Sequence, residues 1–291
     1  VPPAVRFPAA VLFADIVGST PLAESFAQRF PKGTEGAEEL SRVLNAYFEQ
    51  LISIVTAHGG DIVRFAGDAL LACWPTTATD EELSIVTRRA AQCGLSLQSE
   101  LAHYETAEHQ RLSMRVGVGA GEVMSASVGG ERGRWEHLMA GTPLDQVSLA
   151  QHYAEPGDVV IAPEAWSLLL QHCAGHPLPA GGVLLQEVGD PLPLRPLAPV
   201  HPSPGAGTVL RGYIPRAVLP RLDAGLVGWL AELRLVTVLF AQVTGLDYTE
   251  PDALDRLQSV ARSIQTTLYH YEGSLGSLGV DDKGTILVAA F

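Results

Sequence analysis

The strongest constraint on this chain is that it states one pattern twice. Residues 11–19 read VLFADIVGS, and residues 238–246 read VLFAQVTGL. The first is followed by LSRVLNAYFEQLISIVTAHGGDIVRFAGDALLACW, the second by LDRLQSVARSIQTTLYHYEGSLGSLGVDDKGTILVAAF. Each passage holds an apolar strand, a run with apolar residues at helical spacing, a Gly-containing turn, and two short apolar runs around a tight turn. Self-similarity of this kind marks a duplicated fold unit. The second copy reaches Phe291 directly after its hairpin, so it is expected to be incomplete in this chain.

The first copy can be read through to its end. Residues 9–16 form a strand and 36–58 a helix, with Leu40, Val43, Leu44, Tyr47, Phe48, Leu51 and Val55 on one face and Gly59-Gly60 as its stop. DIVRF (61–65) and ALLACW (69–74) form a hairpin that turns at Ala66-Gly67-Asp68. A helix over 80–107, an alternating strand over 113–123, a hairpin over 127–140 and a helix over 142–154 follow. The strand VVIAP and a short helix over PEAWSLLLQHC come last. The expected fold is α+β: a ferredoxin-like, palm-type βαββαβ sheet with helices on one face, in tandem pseudo-repeat. Residues 195–230, rich in Pro and Gly at their start, read as a linker strap between a first half at 1–194 and the start of a second at 231–291.

Composition narrows the partners. The 291 residues are 47% hydrophobic, enough for about two cored domains, and carry a net charge of −13. That balance argues against a nucleic-acid-binding face and against attraction to an anionic membrane; a polyphosphate ligand would need cations as intermediaries. Cys73, Cys93 and Cys173 have no CxxC spacing and read as small buried residues in a reducing compartment. There is no signal-peptide pattern and no apolar run of 18 residues, so the expected location is cytoplasmic.

The chemistry starts at Asp15, a carboxylate at the inner end of the apolar strand VLFA. A buried carboxylate without a partner costs several kcal/mol. Asp68, at the tip of the hairpin, can lie beside it in an antiparallel sheet. Two adjacent carboxylates call for a cation between them, and hard divalent ions accept two carboxylates, a backbone carbonyl such as that of Ile16, and phosphate oxygens. Gly18, Ser19 and Thr20 form a small-residue turn opening a helix, where free N–H groups can meet phosphate. In the second copy Gln242 stands where Asp15 stands in the first, which points to one such site rather than two.

FADIVGST, GGDIVRFAGDALLACW and RVGVGAGEV resemble the catalytic domain of class III nucleotidyl cyclases. The resemblance runs on through HLMAGTPLDQVSLAQHYAEPGDVVIAPEAW and AELRLVTVLFAQVTGLD, and is strongest to the soluble, bicarbonate-responsive adenylyl cyclases with two unequal halves on one chain. It implies conversion of ATP to cyclic AMP and pyrophosphate at the interface of the halves. It implies two Mg²⁺ ions (Mn²⁺ or Ca²⁺ as alternatives) on Asp15, the Ile16 carbonyl and Asp68, and a triphosphate along Ile16, Val17, Gly18, Ser19 and Thr20. An intramolecular second half is the implied partner.

The departures from the family pattern are specific. The family's G-x-x-x-N-x-x-x-R segment reads GTPLDQVSL here, with Asp145 and Leu149 in place of Asn and Arg, so the first half cannot supply that pair. The lysine that selects adenine falls at Ser277, while Asp282 with Lys283 matches the second half's Asp-Lys-Gly. In the pseudo-symmetric regulatory site Arg64 keeps the family's charge, Met139 lines the pocket, and Ser148 replaces an arginine, which counts against bicarbonate as an effector. A guanylyl cyclase and a catalytically degenerate, nucleotide-binding regulatory module are the alternatives. A diguanylate cyclase is disfavoured because no acidic residue follows GGD in GGDIV.

Overall fold

A computed structural model describes residues 3–29, 35–76, 80–101, 112–179, 181–216, 218–225, 236–250, 252–281 and 283–291. The chain runs β1 (Val5–Val17), α1 (Ser19–Arg29), α2 (Glu35–Ala57), β2 (Asp61–Ala66), β3 (Ala69–Pro75), α3 (Asp80–Leu101), β4 (Ser113–Gly129), β5 (Trp135–Ala140), α4 (Thr142–Tyr153) and β6 (Val159–Ile161). Then come α5 (Pro163–Ser167), β7 (Cys173–Pro177), β8 (Val183–Val188), α6 (Ala206–Leu210) and α7 (Leu219–Asp223). The second copy contributes β9 (Val238–Val243), α8 (Ala253–His270), β10 (Ser274–Asp281) and β11 (Gly284–Ala290).

The larger sheet has the order β2-β3-β1-β4-β6-β8-β7, with β5 paired to β4. Its first four strands follow the order of a ferredoxin-like βαββαβ unit, with β3 antiparallel between β1 and β2. Ala10, Leu12, Ala14 and Ile16 alternate along β1 and bury against Leu22 and Phe26 of α1, Tyr47 and Leu51 of α2, and Cys93 and Leu97 of α3. This period of two sends Asp15 to the other face of the strand, which is how a carboxylate fits within an otherwise buried segment. The smaller sheet, β10-β11-β9, repeats the order β2-β3-β1, as the duplicated sequence requires.

Two elements differ from the sequence reading. The helix at PEAWSLLLQHC stops at Ser167, since Leu170 is 62% exposed and has no core to face. Cys173 then opens β7, which pairs antiparallel with β8 and widens the sheet by a hairpin. The strap contains the short helices α6 and α7. The helix expected over 80–107 is present to Leu101, and residues 102–107 lie outside the described residues.

The chain divides into two compact units: Phe7–Val123 with Thr142–Ala198, and Val1–Arg6 with Met124–Gly141 and Pro199–Phe291. This grouping differs from the contiguous division at 1–194, 195–230 and 231–291. The cause is the end of β4 and β5, where Met124, Val128, Leu138 and Ala140 bury against Leu257 and Ala261 of α8 and Leu278 of β10. Among the described residues no helix is long and apolar enough to cross a membrane. Cys73 and Cys93 are buried free thiols, and burial pushes Cys73 up to about 12.

Candidate nucleotide and metal site

Asp15 and Asp68 meet at one end of the larger unit's sheet. Asp15 is opposite Ala69 in the β1–β3 register, so Asp68 follows one step beyond its cross-strand partner, in the β2–β3 turn. Gly18 takes a left-handed φ of 100° and ends β1, and its carbonyl accepts the first helical bond of α1, from Leu22 N–H at 3.1 Å. The opening N–H groups of α1 therefore have no intrahelical acceptor. The Ser19 hydroxyl donates to Asp68 Oδ2 and pins the turn to the helix start. Ile16 buries its side chain in the core, which leaves its carbonyl as what it can offer a ligand. Val17 ends the strand, and Thr20 is exposed on the first turn.

Two further residues reach this site. Arg115 of β4 donates from its terminal nitrogen to Asp15 Oδ2 at 2.6 Å, and Gln151 Nε2 of α4 donates to the same oxygen at 3.0 Å. Burial raises the Asp15 carboxyl above its ordinary pKa; the Arg115 hydrogen bond and charge oppose this, and the Asp68 charge adds to it. The site is thus a partly desolvated carboxylate pair with one guanidinium beside it and helix N–H groups alongside. Among the described residues no three His, Cys, Asp or Glu side chains gather at one point. Asp15, Asp68 and the Ile16 carbonyl are a sparse set of hard oxygen donors, the kind that suits a cation shared with phosphate oxygens.

Gln151 reaches Asp15 because α4 lies close on β4. A Cβ at Gly117 would stand 2.4 Å from Val147 O and 2.9 Å from Gln151 N, and one at Gly119 would stand 2.9 Å from Pro143 O. The alternating glycines of RVGVGAGEV are therefore the bed of a helix. Sequence reasoning missed both Arg115 and Gln151. The available signal was a lone arginine in a strand whose one face is glycine.

The second copy shows what becomes of the site when its carboxylates go. In the β9–β11 register Gln242 faces Ile286, as Asp15 faces Ala69, so Thr285 occupies the place of Asp68. Gln242 donates its amide to Lys283 O. Thr285 is 1% exposed and bonds Tyr248 Oη at 2.5 Å. Both positions are neutral and bonded to local partners, Gln242 at the exposed surface and Thr285 in the interior. Ser277 on β10 faces Val288 after a register shift, as Arg64 on β2 faces Leu71 after the same shift, so these two are repeat equivalents. Asp282 lies outside the described residues. Arg64 and Ser148 are half-buried in the larger unit, whereas Met139 of β5 belongs to the smaller one; neither unit by itself holds all three. Asp145 and Leu149 lie one turn apart on α4 and are exposed, Leu149 by 44%.

Comparison with known proteins gives the lineage. Residues 6–176 match the adenylate and guanylate cyclase catalytic domain family. The chain belongs to that family. Adenylate cyclase type 10 of Oryctolagus cuniculus and of Homo sapiens are each 26% identical to it over 314 residues, covering 98% of this chain and 19% of the relative. The chain therefore spans about a fifth of the length of these curated relatives. Two solved structures share the fold. The adenylyl cyclase CyaB from P. aeruginosa has a TM-score of 0.51 at 22% identity, over 67% of this chain and all (100%) of that one. The guanylyl cyclase Cya2 has a TM-score of 0.53 at 24% identity, over 67% and 99%.

Proposed function

We propose that this cyclase domain is the metal-binding half of an adenylyl cyclase that converts ATP to 3′,5′-cyclic AMP and pyrophosphate, completed by a second half. The observation that carries the reading is the asymmetry between the copies: Asp15 and Asp68 converge beside the start of α1, while Gln242 and Thr285 close on local partners. Asp15, Asp68 and the Ile16 carbonyl would hold two Mg²⁺ ions (Mn²⁺ or Ca²⁺ as alternatives), which supply an acidified ribose hydroxyl and a neutralised leaving group. The rest falls to this chain's own groups. Ser19 holds Asp68 in place, and Gln151 orients Asp15. The N–H groups opening α1 receive phosphate oxygens. Arg115, 34% exposed at its side chain, is a cation beside the same space and can exchange Asp15 for a phosphoryl oxygen. Positioning and charge placement of this kind account for most of a phosphoryl-transfer rate.

ATP is favoured over GTP because the relatives that align with nearly the whole chain bear the name adenylate cyclase. The uncharged Ser277 makes GTP the necessary second arm of any test. Full-length protein would be incubated with Mg²⁺ or Mn²⁺ and either nucleotide, and the cyclic product quantified. Cyclic AMP from the parent, lowered about 10²-fold or more by Asp15→Ala, is the expected outcome. Cyclic GTP-derived product alone moves the assignment to a guanylyl cyclase, and no product from either nucleotide supports the regulatory module. Product that survives Asp15→Ala removes the metal assignment.

A further inference from the structure

Adjacent arginines on a helix usually mark a solvated face, but Arg88 and Arg89 of α3 are both partly buried. The chain leaving β8 runs back over this helix and is tied to it. Leu192 exchanges two hydrogen bonds with the Gln92 side chain, its N–H donating at 2.8 Å and its carbonyl accepting at 3.1 Å. Arg89 Nη1 donates to Pro193 O at 2.8 Å, and the Leu197 N–H donates to Thr56 O of α2 at 2.8 Å. Between these anchors the Arg195 backbone is closely held. A Cβ on Gly59 would stand 2.7 Å from the Arg195 carbonyl oxygen, and Pro196 restricts the residue before it to extended conformations. Arg195 itself is exposed.

The fold thus gathers three guanidinium groups in the larger unit and gives them no anion. Among the described residues no carboxylate pairs with Arg88, Arg89 or Arg195, although the chain has 32 Asp and Glu against 19 Lys and Arg. The Arg88 Nε is buried and makes no hydrogen bond, an orphan donor whose lost hydration nothing in the fold replaces. Cys173, where β7 begins, lies near enough to feel the Arg88 charge. Burial lowers the proton affinity of Arg89, and the charges of Arg195 and Arg88 lower it further, so the three stand within range of mutual repulsion. A net charge of −13 gives the molecule no general attraction for anions. The attraction is local, where these three side chains meet.

We propose that Arg88, Arg89 and Arg195 form a binding site for a phosphate dianion, either inorganic phosphate or the phosphate monoester of a small metabolite, which bridges α3 to the 190–198 segment. Guanidinium groups recognise carboxylates and phosphates alike, and the charge count decides between them. A carboxylate would leave two of the three positive charges unanswered, whereas a phosphate ester carries about −1.5 to −2 at neutral pH. The bound dianion draws Arg195 toward α3 and restrains the segment between the Leu192 and Leu197 anchors. The site shares no residue with the Asp15 and Asp68 pair and does not rest on the catalytic reading.

The test is amide hydrogen exchange in the full-length protein, titrated with inorganic phosphate or with glycerol 3-phosphate against chloride at matched ionic strength. Exchange at the Leu192 and Leu197 amides is expected to slow and to saturate, and the ligand with the lower half-saturation concentration identifies the source of the dianion. Arg88→Gln, Arg89→Gln and Arg195→Gln are each expected to raise that concentration about tenfold or more. Arg195→Gln, at an exposed position whose side chain makes no hydrogen bond among the described residues, should melt no lower than the parent without phosphate. Asp15→Asn keeps this result separate from phosphate bound at the nucleotide site, since it should leave the Leu192 and Leu197 response unchanged. Exchange indifferent to both phosphates, a response that chloride reproduces, one that any of the three glutamine variants keeps at parent strength, or one that Asp15→Asn abolishes would overturn the proposal.

Discussion

Asp15 carries a cost that nothing in the resting fold removes. Burial raises its proton affinity against the opposing pull of Arg115, so the folded state holds this proton more tightly than the unfolded chain. A raised folded pKa means that stability falls as pH climbs from the ordinary carboxylate value through the folded one, and stays lowered above it. At neutral pH the ionised carboxylate is therefore a destabilising group. Asp15→Asn leaves an oxygen to accept from Arg115 and Gln151 while removing the charge. Its thermal midpoint at neutral pH is expected to equal or exceed the parent's, although cyclase activity is lost. Mn²⁺ titration separates the two effects: the ion should raise the parent's midpoint and leave that of Asp15→Asn where it was. A variant that melts lower than the parent would mean that the Arg115 ion pair, 20% exposed on the Asp15 side, outweighs burial.

At the scale of elements, the strand–helix contact of β4 with α4 sets the site's geometry. Gly117→Ala puts a methyl 2.4 Å from Val147 O and 2.9 Å from Gln151 N, both backbone atoms of α4. Backbone cannot rotate away, so the helix must move, at about 1–3 kcal/mol. The urea midpoint should drop with m unchanged, and activity should fall with it as Gln151 is drawn off Asp15. This contact also shows where sequence stops being informative. α2 was legible because burial on one face writes a period into the residues, β1 and the β2–β3 hairpin because short apolar runs are bounded by tight Gly-bearing turns, and Asp15 and Asp68 stood out as a carboxylate near the end of an apolar strand and one in the hairpin turn. Arg115 and Gln151 did not, since the contacts that recruit them to Asp15 span 100 and 136 residues. β7 was hidden for a local reason: CAGHP is short and mostly exposed, with no alternation to betray a strand.

For the molecule as a whole, the hairpin at 124–141 decides the division of the chain. Chain proximity would assign it to the first half, but its apolar residues bury on α8 and β10. It brings a buried ion pair with it: Arg134 and Glu136, each 6% exposed, with Nη2 to Oε1 at 2.9 Å. Burial outweighs the Arg134 charge and pushes Glu136 up to about 7. Tyr269 of α8 also feels Arg134 and Glu136, along with Arg216 and Arg132, so the surrounding charges are mainly cationic. The folded pKa of Glu136 lies above its unfolded value, so the smaller unit is most stable where Glu136 is protonated. It should lose stability as pH rises from about 4.5 through about 7, then level off. Hydrogen exchange, corrected for intrinsic rates, reads this unit by unit: protection of β5 and α8 should decline from about pH 5 to about pH 8, with no matching decline in β1 and β3. Glu136→Gln keeps the shape, removes the titration, and should flatten the profile in the smaller unit alone. A parent profile already flat over that range would show that Arg134 holds Glu136 ionised throughout, and that the pair, rather than a protonated carboxyl, anchors the hairpin.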